Sequence, residues 1–255
     1  MAGRPGRARI LQKAAMRFPK PLRDPLAHLV VSAVTDPTGA APLWAFRHFC
    51  RLACRSPDGR VPLRALVEAP APPWLARSPA NEALREIPLV AFVPDGRLAL
   101  TPRFAPYLHA VAEQVEAYWA ATEVFARKGG PRKEGLARAV ECGAVLYNAR
   151  LYFETHELLE PIWMEQPPGR NRMVLQGVIQ AAVGLYHFQH ENWRGGIRVL
   201  GYGLSKAEAG RPVFHGLAMD SFLDGLVACR EAARAVLAGD RAAFPWQIVP
   251  PMRLA

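Results

Sequence analysis

Hydrophobic residues recur through the second half of the chain at the three- and four-residue spacing of one helix face, whereas in the first half they come in shorter runs broken by proline. Sixteen of the 24 prolines fall in the first 106 residues and five between 107 and 244. Proline fixes φ and lacks the amide proton a helix interior needs, so short elements are expected first and long helices after. The spacing predicts helices over 24–35 and 42–54, a short strand running into a helix over 61–68, and a short helix over 79–87. Strand-like runs at 89–93 and 97–101 flank Pro94-Asp95-Gly96, where proline presets φ and glycine accepts the left-handed position, which predicts a hairpin. A connecting helix over 107–128 stops at Gly129-Gly130-Pro131. Helices then follow over 133–147, 151–164, 171–190, 193–207 and 216–239, with Asn192 placed to cap the fourth. The proline-rich stretch 244–251 predicts a non-helical, extended strap over the bundle.

The fold class that follows is mostly α: a C-terminal helical bundle with a small α+β, winged-helix-like N-terminal module. The expected division is a basic disordered arm over 1–23, the N-terminal module over 24–106, a connecting helix and linker over 107–131, the bundle over 132–240 and an extended tail over 241–255. The likeness to a winged helix is one of element order, helices followed by a hairpin as the wing, and rests on no motif.

Charge sharpens the first boundary. Residues 1–23 hold seven basic residues (Arg4, Arg7, Arg9, Lys13, Arg17, Lys20, Arg23) and no acid, leaving 25 basic against 22 acidic residues, a net of +3, for the rest of a chain whose total is +10. Basic arms of this kind hold nucleic acid or anionic lipid in some proteins; the plainer expectation is a solvated tail. A mitochondrial presequence would carry more serine. The predicted helix before the hairpin sets Glu82 and Glu86 against Arg85, a poor surface to lay on phosphates. No apolar run approaches the roughly 18 residues of a membrane helix, and no apolar stretch of a secretory signal opens the chain. Cys50, Cys54, Cys142 and Cys229 form no C-x-x-C pair, so buried thiols in a reducing, cytoplasmic compartment are expected.

The candidate chemistry lies in two predicted helices. At about 100° per residue, His156 and Glu160 fall inside the apolar arc of the helix over 151–164, between Trp163 and Phe153, with Glu154 and Glu157 at its margin or outside. The helix over 171–190 is apolar almost all round except for one stripe of Gln176, Gln180 and His187. A buried carboxylate or amide without a partner costs a few kcal/mol. The two polar strips are therefore expected to face each other, His156 and Glu160 bonding Gln176, Gln180 or His187.

The residues that carry this pattern also resemble a family. Residues 148–163 (NARLYFETHELLEPIW), 175–187 (LQGVIQAAVGLYH) and 192–200 are similar to the domain of unknown function 309 family, with its Asn-containing turn, E-x-H-E-x-x-E and Trp, then L-Q-G-x-I-Q and Tyr-His. The resemblance implies a small helical bundle and implies no activity. Arg150 stands where the family often has Gly, and Pro161 where a plain helix former is expected; Pro161 is expected to kink the helix. The first 106 residues lie outside the resemblance.

Three uses of the cluster compete. It is a structural network that fixes helix register; or a ligand site of His156, Glu157, Glu160, Trp163, Gln176, Gln180 and His187 among the aromatics Tyr152, Phe153 and Tyr186; or a metal or acid/base site. His156 and Glu160 are spaced for two ligands to one ion, with His187 as a third. H-E-x-x-E is neither the zincin nor the di-iron motif, however, and no nucleophile has a base beside it. His109, His190 and His215 stand alone. The glycines at 195, 196, 201 and 203 indicate close helix packing, because no strand precedes them to make a phosphate loop. The preferred function is a non-enzymatic ligand-binding or interaction module, its small-molecule or protein partner and any cofactor unidentified. Alternatives are an enzyme built on the same cluster and a nucleic-acid-binding regulator acting through residues 1–23 and the N-terminal module.

Overall fold

The structure, a computed structural model, describes residues 17–36, 39–68, 72, 75, 84 and 87–254. Helices α1 (Lys20–Thr35) and α2 (Ala40–Ala53) open the described chain. The basic segment therefore turns helical at Lys20. Residues 1–16 of the expected arm, and most of the helix expected at 79–87, lie outside the described residues.

Strand β1 (Val61–Pro62) runs into α3 (Leu63–Val67), and β2 (Val90–Phe92) and β3 (Arg97–Leu100) form the expected hairpin. Gly96 takes φ 76° at its turn, the left-handed region that a Cβ disfavours. The three strands pair antiparallel in the order β1-β3-β2, with Val61 opposite Leu98 and Ala91 opposite Ala99. Asp58 and Asp95 share Arg60 and Arg97, at distances from 2.7 to 3.7 Å, so the hairpin tip is charge-paired with the turn that precedes β1.

The long helices are α4 (Leu108–Arg127), α5 (Gly135–Asn148), α6 (Tyr152–Glu165), α7 (Arg170–Gln189), α8 (Trp193–Ala207) and α9 (Met219–Ala238). Each lies close to its expected span. Asn192 caps α8 by accepting from the Gly195 amide at 3.1 Å. One expectation fails locally. The helix expected from 216 begins at Met219, because β4 (Val213–Phe214) and β5 (Leu217–Ala218) turn through His215 and Gly216, both at positive φ. Helix α6 is continuous through Pro161, as its expected span requires, with that residue on the exposed side.

Helix α7 is the axis of the bundle, with ten of its residues buried, and it packs against α8 on one side and α6 on another. Glycine sets the α7–α8 approach: a Cβ on Gly177 would come within 2.5 Å of the Ala207 nitrogen and one on Gly203 within 2.9 Å of the Gly177 oxygen. One apolar core runs from Leu22 and Phe46 through Tyr118 to Leu185 and Phe222, so α1, α2 and α4 share it with the bundle. Arg47 and Arg51 of α2 both bind Glu116 of α4, while Arg138 of α5 reaches the Thr35 carbonyl at the end of α1. The C-terminal segment crosses the bundle as a strap: Phe244 lies against Phe188, and the Asn148 side chain clamps both backbone groups of Met252 at 3.0 and 2.8 Å. A single 3-10 turn at Trp246–Ile248 interrupts it where a fully non-helical strap was expected. All four cysteines are free thiols; Cys50, Cys142 and Cys229 are buried and Cys54 half-buried. Among the described residues no helix is long and apolar enough to cross a membrane.

Candidate functional site

Helix α6 starts one residue after a tight turn. Arg150, at φ 62°, holds the left-handed position that ends α5, and its carbonyl accepts from the Gln189 side chain at 2.9 Å. Residues 152–165 then carry their polar groups on two sides of the helix.

The inward side holds Glu154, 6% exposed, whose carboxylate accepts a hydrogen bond of 2.5 Å from the fully buried Tyr118 hydroxyl of α4. Burial pushes the Glu154 carboxyl above its ordinary value, against the pull of that hydrogen bond, and drives the Tyr118 phenol well above its own. The expected margin position of Glu154 is thus corrected. The helix wheel weighed α6 against the bundle alone, whereas α4 and α1 cover its other flank.

The outward side holds His156, Glu157 and Glu160. His156 Nδ1 lies 3.1 Å from Glu157 and Nε2 lies 3.3 Å from Glu160, so one imidazole bridges two carboxylates of its own helix. Burial works to lower the His156 pKa, but the hydrogen bond to Glu157 and the charges of both glutamates outweigh it, and the imidazole stands above its ordinary value. Glu157 is held below the usual carboxylate range, chiefly by His156. The side chain of His156 is 23% exposed and that of Glu160 43%, so neither is the buried group expected.

The predicted meeting of two polar strips does not form. Gln180 accepts from Lys206 of α8 at 3.1 Å, and its Cβ lies 3.1 Å from where a Cβ on Gly203 of α8 would stand. His187 Nδ1 pairs with the Asn192 amide nitrogen at 3.0 Å, at the head of α8. Because the amide group donates, this nitrogen accepts, which suits a neutral ring. Burial, then the charges of Arg17 and Arg198, lower the His187 pKa. The stripe therefore faces α8, the helix that the glycines bring closest, and not α6. Gln176 of α7 is half-buried, and among the described residues no hydrogen bond joins it to α6. Trp163 stands a turn beyond Glu160, its indole nitrogen buried without a hydrogen-bond partner and its ring 4.6 Å beneath the Arg172 guanidinium. Arg172 also donates to the carbonyls of Trp163, Met164 and Gln166, closing the end of α6.

Instead, α6 meets α1. The Arg23 guanidinium lies 4.1 Å over the Phe153 ring and beside the Tyr186 hydroxyl. Tyr186 packs on Phe153 at 5.5 Å and edge-on to His190 at 4.5 Å. Burial, then Arg17, lower the His190 pKa. Arg23, Tyr186 and His190 thus join His156, Glu157 and Glu160 along one seam. Sequence reasoning assigned Arg23 to a solvated arm and set His190 aside. The helical spacing of Leu22, Leu26, Leu29 and Ala33, which carries the helix back across Arg23, was the available signal.

Among the described residues no group of three or more His, Cys, Asp or Glu is arranged to hold a metal ion. His156 and Glu160 are adjacent, but His187 is engaged with α8. Two surface depressions stand out, one of about 530 Å³ between α8 and α9 and one of about 320 Å³ beside Trp44, and no residue of the seam lines either.

Comparison with known proteins places the likeness on these helices. The uncharacterized protein YpuF of Bacillus subtilis (strain 168) is 37% identical over 71 residues, which are 28% of this chain and 41% of that protein. No solved structure matches the chain significantly. Residues 140–199, from the middle of α5 into α8 and including the whole His156 face, match the family described as Domain of unknown function (DUF309).

Proposed function

We propose that the chain is a non-catalytic interaction module whose recognition surface is the α1–α6–α7 seam around His156. The supporting observation is the convergence of half-exposed groups from three helices, Arg23, Phe153, His156, Glu160, Tyr186 and His190, with neither depression of ligand size over them. Aromatic rings and arginine dominate the energetics of protein interfaces, and a charged rim around them steers the partner. The buried Tyr118–Glu154 bond and the Arg172 closure hold α6 rigid, so the surface is presented without an ordering cost. Affinity purification tests this with wild type, Phe153→Ala and Glu160→Arg chains of equal thermal stability. A specific partner lost in both variants is the expected result, and a partner retained equally by all three overturns the assignment.

The enzyme alternative draws on the same His156–Glu160 pair. Elemental analysis decides it: stoichiometric zinc, iron or manganese that disappears in His156→Ala would replace the interaction reading with a metal site.

A second reading is favoured by the sheet. The β1-β3-β2 order, with α2 before it and α3 between β1 and the hairpin, supports a winged-helix-like organisation for residues 40–100. The mutual pairing of Asp58, Arg60, Asp95 and Arg97 leaves the hairpin tip little free charge for a phosphate backbone, which favours a protein-contacting platform over a duplex reader. Salt-dependent duplex binding lost in Arg60→Ala and Arg97→Ala would reverse that preference.

A further inference from the structure

We infer that the groove between α8 and α9 binds a single-stranded nucleic acid segment, with its phosphodiester backbone on Arg194, Arg198 and Arg230 and one base on Tyr202. The site is separate from the His156 seam, and the inference does not rest on that reading.

The groove is built from two helices. Arg194, Arg198 and Tyr202 follow one another at four-residue intervals on α8, which places them on successive turns about 6 Å apart. Arg194 and Arg198 are exposed, and the Tyr202 ring is 58% exposed. From the other bank, Arg230 of α9 donates through Nε to the Ile197 carbonyl at 3.3 Å. Its guanidinium lies in the space left by Gly201, where a Cβ would stand 2.8 Å from Nη2. This guanidinium is pre-ordered, so a ligand does not have to immobilise it. Ile197 and Leu237 supply the apolar wall, the depression is about 530 Å³, and no acidic residue lines it. Among the described residues none of the three guanidinium groups has a carboxylate partner.

Three unneutralised guanidinium groups within a few turns of each other repel one another, and a polyanion removes that repulsion while releasing counterions. The ring decides between polyanions. An exposed aromatic beside a basic track is the arrangement on which successive bases stack without sequence preference. An acidic peptide in extended form presents alternate side chains to opposite faces and does not repeat a charge with the same hand at one helix turn. A rigid duplex has its bases already stacked and would leave Tyr202 uncovered.

Fluorescence anisotropy of the full chain with labelled twelve-nucleotide U and dT oligomers tests the inference, at low and at physiological salt. Binding is expected to weaken with rising salt. Arg194→Ala with Arg198→Ala should weaken it at least tenfold and flatten the salt slope. Tyr202→Ala should weaken it at least fivefold with the slope unchanged, and Tyr202→Phe should restore it. Removal of residues 1–16 separates any contribution of the basic N-terminus, and the three variants must keep their effects in that background. Equal binding by all variants, tighter binding of a duplex of the same length, or an oligo-glutamate peptide that binds as well as the oligomers would each overturn it. Thermal melts of the exposed-residue variants matching wild type exclude unfolding as the cause.

Discussion

The Tyr118 hydroxyl donates to the Glu154 carboxylate across the junction of α4 and α6, and both groups are sealed from solvent. This bond ties the connecting helix to the bundle at the one buried carboxylate of α6. Tyr118→Phe leaves that carboxylate without its donor and should cost about 1–3 kcal/mol in denaturant unfolding. Glu154 has a folded pKa raised by burial, so the stability it contributes is greatest below its unfolded value and is lost as pH rises through the folded one. Glu154→Gln should therefore remove a destabilisation that grows toward neutral pH; identical pH dependence in the two proteins would contradict the assignment.

His156 carries the same sign for a different reason. Its folded pKa is raised by Glu157 and Glu160, so its stabilisation is fully present below the unfolded histidine value near 6.5 and fades as pH rises through the folded value. His187 and His190 are lowered and act oppositely, losing stability as pH falls. The difference between wild type and His156→Gln cancels their effect. It should be largest in mild acid and shrink above neutrality, as read from urea midpoints across that range.

Asn148 holds the strap through two hydrogen bonds to Met252, which is 2% exposed. Asn148→Ala should cost about 1–3 kcal/mol and expose residues 244–254 to faster hydrogen exchange and proteolysis, with α7 unchanged. Exchange confined to other segments would show that the clamp is not what retains the strap.

Gly177 faces backbone atoms of α8 with no room for a methyl group. Gly177→Ala, which an isolated helix would favour, should instead destabilise the protein by about 1–3 kcal/mol or more, because α7 and α8 must move apart. A raised melting temperature would refute the close-packing account.

Much of the fold was legible in the residues themselves. Helical spacing, Asn192, Pro94-Asp95-Gly96 and the glycines of α8 located the elements, their caps, the hairpin and a close helix pair, because each is a local rule of backbone geometry or of volume. The site was legible only in part. His156, Glu157 and Glu160 do share one helix, but neither the burial expected of His156 and Glu160 nor their expected partners on the next helix are found.

What the sequence alone determined, then, is which stretches are helices and which side chains share a face. A period of 3.6 residues records that some face is covered, and records nothing about which neighbour covers it. Only the tertiary structure decided that the Gln180–His187 stripe turns to α8, that α4 buries Glu154 through Tyr118, and that Arg23, part of a basic run, lies on Phe153. Those choices follow from how closely helices can approach, and a contact between separate helices leaves no periodicity within either one to read.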